Sequence, residues 1–132
     1  MSCHAEMTGF SPAHQTQAIG CATYTSVREA AAGAEAVVSM LPNGAIVDKV
    51  YAEDVIGHAP SSALLLDCST IDVATAREVI EVTEAHGYQM VDAPVSGGTM
   101  AADAGTLAFM VGCDEPDFAR IEAALEPMSR AT

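Results

Sequence analysis

The chain has 132 residues, half of them apolar, which is one domain's length with enough hydrophobic matter to bury a core. Eighteen acidic residues stand against five basic ones, for a net charge of −13, and the cations (Arg28, Lys49, Arg77, Arg120, Arg130) form no patch. Such a surface repels polyanions, which argues against nucleic acid and anionic membrane as partners. The cysteines, Cys3, Cys21, Cys68 and Cys113, include no C-x-x-C pair, so neither a disulfide framework nor a zinc site is expected and a reducing cytoplasm is. No stretch approaches the roughly 20 apolar residues of a membrane span, and the first residues lack the basic and apolar regions of a leader.

In chain order, residues 1–10 read as a polar extension. Ser11 and Pro12 open a short helix to Ile19, as N-cap and first helical residue. Cys21–Tyr24 is a short strand. Ser26 and Glu29 form a capping box before an Ala-rich helix that Gly33 ends. Ala36–Leu41 is a near-continuous apolar run, the pattern of a strand buried on both faces. Pro42-Asn43-Gly44 breaks it, and a helix from about Ala45 to Glu53 follows. Ala63–Asp67 is another buried strand. Val73–His86 is an amphipathic helix with Val79, Ile80 and Val82 on its apolar side, N-capped by Asp72 and closed by Gly87. Tyr88–Asp92 and Thr106–Gly112 are strands, and Asp114 or Glu115 opens a last helix toward Met128. Strand and helix alternate throughout, so the fold class is α/β, with a parallel sheet covered by helices on both faces.

In an open parallel sheet, ligands bind beyond the carboxyl ends of the strands. Three such ends carry unusual residues: Ser39-Met40-Leu41-Pro42-Asn43-Gly44, Leu66-Asp67-Cys68-Ser69-Thr70-Ile71-Asp72 and Val91-Asp92-Ala93-Pro94-Val95-Ser96-Gly97-Gly98. In the third, paired glycines permit a sharp turn and close backbone approach to a ligand. The residues after them can start a short helix whose free amides suit an anion, with the Ser96 hydroxyl beside them. From Ser-Gly-Gly alone, an ordinary strand–turn–helix connection is the favoured reading.

The three segments in this order, with Gly105-Thr106-Leu107-Ala108-Phe109-Met110-Val111-Gly112 downstream, resemble the 3-hydroxyisobutyrate dehydrogenase (β-hydroxyacid dehydrogenase) family, related to the NADP-binding domain of 6-phosphogluconate dehydrogenase. The resemblance covers about Phe10 to Met128. It implies an incomplete Rossmann-like, doubly wound sheet over residues 11–132 and NAD or NADP as cofactor. It also implies a small 3-hydroxyacid as substrate, with hydride transfer at its hydroxyl-bearing carbon. By resemblance, Leu41 and Pro42 line the dinucleotide site through their backbone and Thr70 lies near the nicotinamide and its ribose. Ser96, Gly97 and Gly98 hold the substrate carboxylate. Asp67 and Asp92 read as anchors that hydrogen-bond loop amides, and Cys68 as a small buried thiol. Val73 stands where the family usually has Pro, a mild departure.

The chain contains no G-x-G-x-x-G motif for a pyrophosphate, and its single lysine, Lys49, lacks the family's G-x-x-x-K-x-x-x-N surroundings. The family's general acid/base is that lysine, so no residue here is assigned the role. The expectation is therefore a partial member of an NAD(P)-dependent oxidoreductase family, inactive by itself and prone to self-association through unpaired strand edges. The alternative is a degenerate, non-catalytic module that binds a ligand or another subunit.

Overall fold

A computed structural model describes residues 3–5 and 20–131. The expected helix over Ser11–Ile19 lies outside the described residues. Strands β1 (Cys3–Ala5) and β2 (Ala22–Tyr24) pair in parallel. After helix α1 (Val27–Ala31) come β3 (Ala36–Ser39), α2 (Gly44–Val50), β4 (Leu64–Asp67), α3 (Val73–Ala85) and β5 (Gln89–Asp92). β3, β4 and β5 form a parallel sheet in that order. Beyond it lie β6 (Val95–Ser96), α4 (Gly98–Ala104), β7 (Leu107–Phe109), α5 (Glu115–Leu125) and β8 (Ser129–Ala131). β7 pairs antiparallel with β6 and parallel with β8. The fold is α/β with a mostly parallel set of strands, as expected, but the β6–β7 pair is antiparallel and β8 follows the last expected helix.

The doubly covered sheet follows from the side-chain alternation of β4, where every residue is buried. Leu65 enters a core with Val47, Val50, Tyr51, Val79 and Met90, contributed by α2, α3 and β5. Leu64 and Leu66 point the other way, into a core with Val91, Phe109, Ile121 and Leu125. Two leucines to one face and one to the other is the period-two signature of a strand between two helical layers.

β3 departs from its expectation. It alternates exposed and half-buried residues, and Val38 is 45% exposed. The reason is positional. β3 pairs only with β4 among the described residues, and the second core draws on β4, β5, β7 and α5 but on no residue of β3. An apolar run reports that a strand can be buried twice, not that both neighbours are present.

Local signals held unevenly. Asn43 caps α2 by accepting from the Ile46 amide at 3.0 Å, so the helix begins at Gly44, one residue before the expected start. It then widens into a π-helical turn over Tyr51–Val55, with the Ile56 amide donating to the Tyr51 carbonyl at 3.0 Å. Asp72 caps α3 as expected, accepting from the Thr75 amide at 2.9 Å and from its hydroxyl at 2.7 Å. Those bonds hold the Asp72 carboxyl below its ordinary value, the amide first and the hydroxyl second. On α3, Val82 is exposed and Thr83 faces inward instead. Its hydroxyl donates to the Ile80 carbonyl at 2.8 Å, so a threonine costs little there. The capping box at Ser26 does not form: Ser26 holds the N-cap position without a side-chain bond. α1 is five residues long and is tied instead by an Arg28–Asp54 ion pair at 2.8 Å.

Candidate functional site

The parallel register sets Ser39, Asp67 and Asp92 side by side at the carboxyl ends of β3, β4 and β5. The loops that follow are the three segments singled out in the sequence, and backbone bonds lace them together. The Cys68 amide donates to the Ser39 carbonyl and the Ala93 amide to the Asp67 carbonyl, both at 2.8 Å. The Met110 amide reaches the Pro94 carbonyl at 2.9 Å, joining the β7 end to the third loop.

Beneath the first two loops lies a buried polar cluster that sequence reasoning missed. Asp67 and Ser69 are buried, and Tyr51 is 1% exposed. Ser39 Oγ lies 2.7 Å from Asp67 Oδ1 and 2.7 Å from the Tyr51 hydroxyl. Since the one serine proton goes to the carboxylate, Tyr51 is the donor to Ser39. Ser69 Oγ donates to Asp67 Oδ1 at 2.6 Å and accepts from the Leu41 amide at 2.8 Å. Burial raises the Tyr51 phenol above its ordinary value, which keeps it a donor. Serines at the ends of otherwise apolar strands were the available signal, since a buried hydroxyl must find a partner.

Asp67 thus anchors this loop pair, accepting also from the Ser69 amide at 3.3 Å. Asp92 does not match its expected role: its backbone carbonyl, not its carboxylate, meets a loop amide, that of Gly112 at 3.3 Å. Its carboxyl is raised by burial first and by the Asp67 charge second. Cys68 is a buried thiol pushed up to about 12, by burial and then by Asp67 and Asp92. It is therefore protonated and a poor nucleophile. Alkylation near pH 8 is expected to modify the buried Cys68 more slowly than the half-buried Cys21 and Cys113, because access and thiolate are both scarce at Cys68. Peptide mapping after iodoacetamide pulses checks this, and equal rates would contradict it.

Around this support sit the expected ligand residues. Leu41 is half-buried, and Pro42 and Thr70 are exposed on adjoining loops joined by the Leu41–Ser69 bond. Ser96 is exposed at the end of β6, and Gly97 and Gly98 lead into α4 with φ of 133° and 66°. A Cβ on Gly97 would come within 2.5 Å of the Ala101 Cβ, so glycine is required there by the fold itself. Substituting Gly97 would therefore test the turn and not ligand contact; Ser96 is the informative position. Among the described residues no group of three or more His, Cys, Asp or Glu could hold a metal ion, and no helix is long and apolar enough to cross a membrane.

Over residues 8–132 the sequence matches the family described as the NAD binding domain of 6-phosphogluconate dehydrogenase. The chain belongs to that family. It is 46% identical over 125 residues to a Mycobacterium tuberculosis protein named "Probable 3-hydroxyisobutyrate dehydrogenase", covering 92% of this chain and 42% of that one. It is 41% identical over 115 residues to the NAD-dependent L-serine dehydrogenase of Pseudomonas aeruginosa, covering 86% of this chain and 39% of that one. A solved structure of the Mycobacterium tuberculosis 3-hydroxyisobutyrate dehydrogenase with L-serine superposes with a TM-score of 0.85 at 45% identity, over 91% of this chain and 41% of that one. The resemblance to the NAD-binding part of 3-hydroxyisobutyrate dehydrogenases thus holds in sequence and in fold, and the chain spans about two fifths of those relatives' length.

Proposed function

We propose that residues 11–132 supply the nicotinamide-side wall of an NAD(P) cleft and the carboxylate clamp of a dehydrogenase acting on small 3-hydroxyacids. The observation that carries this reading is the alignment of three strand ends, which brings Leu41, Pro42 and Thr70 onto loops sharing one buried support. These residues fit a nicotinamide: aliphatic surface for a ring face, loop backbone for its carboxamide and an exposed hydroxyl for its ribose. When bound, the nicotinamide would supply the hydride chemistry. In this chain, Ser96 would donate its hydroxyl proton as a hydrogen bond to the substrate carboxylate, and the tight turn at Gly97 and Gly98 would let backbone amides approach it. Lys49 lies exposed on α2 and is assigned no proton transfer.

3-Hydroxyisobutyrate is the first substrate to try and serine the second, both being small acids with a hydroxyl on C3. The relatives named for each support that choice. The test is a chimera in which residues 8–132 replace the matching segment of the Mycobacterium tuberculosis relative. Turnover of one of these acids with NAD or NADP is expected. A folded chimera that binds the dinucleotide and turns over neither would favour the non-catalytic module. For a polypeptide of these 132 residues alone, with no phosphate-loop motif and no family lysine, no sustained nicotinamide reduction is expected.

A further inference from the structure

The polar cluster under the first two loops is a single line of donors. Tyr51 donates to Ser39, Ser39 to Asp67, Ser69 to Asp67, and the Leu41 amide to Ser69, with separations of 2.6–2.8 Å. Its far end is the π-helical turn at Tyr51, which departs from regular α-helix where the ring must enter the core below Ser39. π-Turns inside helices are rare and recur at functional sites. Tyr51, Ser39, Asp67 and Ser69, the side chains of this line, have been assigned no ligand, and all but Ser39 are almost wholly buried.

We infer that Tyr51, Ser39, Asp67 and Ser69 are positioning residues that set the Leu41–Pro42 loop for the nicotinamide, an inference that rests on the cofactor-wall reading above. The mechanics are specific. Pro42 offers no amide, so the Leu41 N–H is the loop's own handle at this point, and Ser69 holds it. Ser69 is itself oriented by Asp67, whose Oδ1 also accepts from Ser39, and Ser39 is held in turn by Tyr51. A change at the Tyr51 hydroxyl is therefore felt at the Leu41 amide, with which it shares no hydrogen bond.

The test uses the full chain, labelled with nitrogen-15, as parent, Ser69→Ala and Tyr51→Phe. Hydrogen exchange is read at Leu41 and, as controls, at the core amides of Leu65 and Met90. Binding of reduced nicotinamide mononucleotide is read from the Thr70 amide. Ser69→Ala is expected to speed Leu41 exchange at least tenfold and to weaken the mononucleotide several-fold. Tyr51→Phe, which keeps the ring and removes only the hydroxyl, is expected to speed Leu41 exchange two- to fivefold. In both, Leu65 and Met90 should exchange as in the parent. Should Ser69→Ala not fold, Tyr51→Phe decides. Unchanged Leu41 exchange, or equal acceleration at Leu65 and Met90, would overturn the positioning role. A parent chain whose Leu41 and Thr70 amides ignore the mononucleotide would overturn the cofactor reading and with it the role toward nicotinamide. The exchange comparison would still decide whether the line holds the loop.

Discussion

Asp67→Ala is expected to destabilise the fold by about 1–3 kcal/mol, the cost of leaving the buried Ser69 hydroxyl without its acceptor. Ser69 is 1% exposed, so its hydroxyl has no water to turn to, whereas the half-buried Ser39, bonded to both Asp67 and Tyr51, adds less. Total stability for a domain of this size is about 5–15 kcal/mol, so the loss is a sizeable share of it. Asp67→Asn keeps an acceptor oxygen in place and should cost less. Urea unfolding followed by far-ultraviolet circular dichroism measures both, and an Asp67→Ala midpoint equal to the parent's would refute the role given to the cluster.

Asp92, the register neighbour of Asp67, should behave in the opposite way. Burial and then the Asp67 charge raise its carboxyl in the folded chain. Through the pH window from the ordinary Asp value up to that raised value, the native state holds a proton that the unfolded chain has released. Stability from this group therefore falls as pH rises through the window. Asp92→Asn should leave stability at neutral pH unchanged or improved and flatten that slope. Asp72 has the reverse sign: its lowered value gives stability above the ordinary Asp range that is lost on acidification through the folded value.

Ser96→Ala is expected to have the largest functional effect. A hydrogen bond to a charged group is worth about 1.5–3 kcal/mol, which corresponds to a rise of roughly 10- to 150-fold in KM for the hydroxyacid. Ser96 is exposed, so its hydroxyl is free to meet solvent when no acid is bound, and the fold should tolerate alanine. Carboxylate binding is made equally in ground and transition states, so kcat should change little. Steady-state kinetics of the chimera, with the methyl ester of the acid as control, separate the two parameters. An unchanged KM would remove Ser96 from the clamp.

Much of the fold was legible because its signals are local and agree with one another. β4 is three buried leucines ended by Asp67, Asp72 is a helix cap with Thr75 in reach, and Gly87 with its positive φ closes α3. What was not legible depended on neighbours. The exposure of Val38 is set by which strands flank β3, and the antiparallel β6–β7 pair by how the chain turns at Pro94 and at Gly97. The π-turn at Tyr51 has no periodic signature in a stretch this short. Of the site, the three loops could be found from strand ends and motif order, whereas the Tyr51–Ser39–Asp67–Ser69 line could not. Its members are separated by up to 30 positions and meet only when α2 folds back under the sheet.

Amide chemical-shift mapping of the labelled chain tests the central claim most directly. Reduced nicotinamide mononucleotide and 3-hydroxyisobutyrate would be titrated separately, so that each half of the cleft answers for itself. The mononucleotide is predicted to move Leu41 and Thr70, and the acid to move Ser96, Gly97 and Gly98, while Ile121 in the core of α5 stays still. Ligands that leave all five of those site amides unmoved, or that shift residues away from the three strand ends instead, would contradict it.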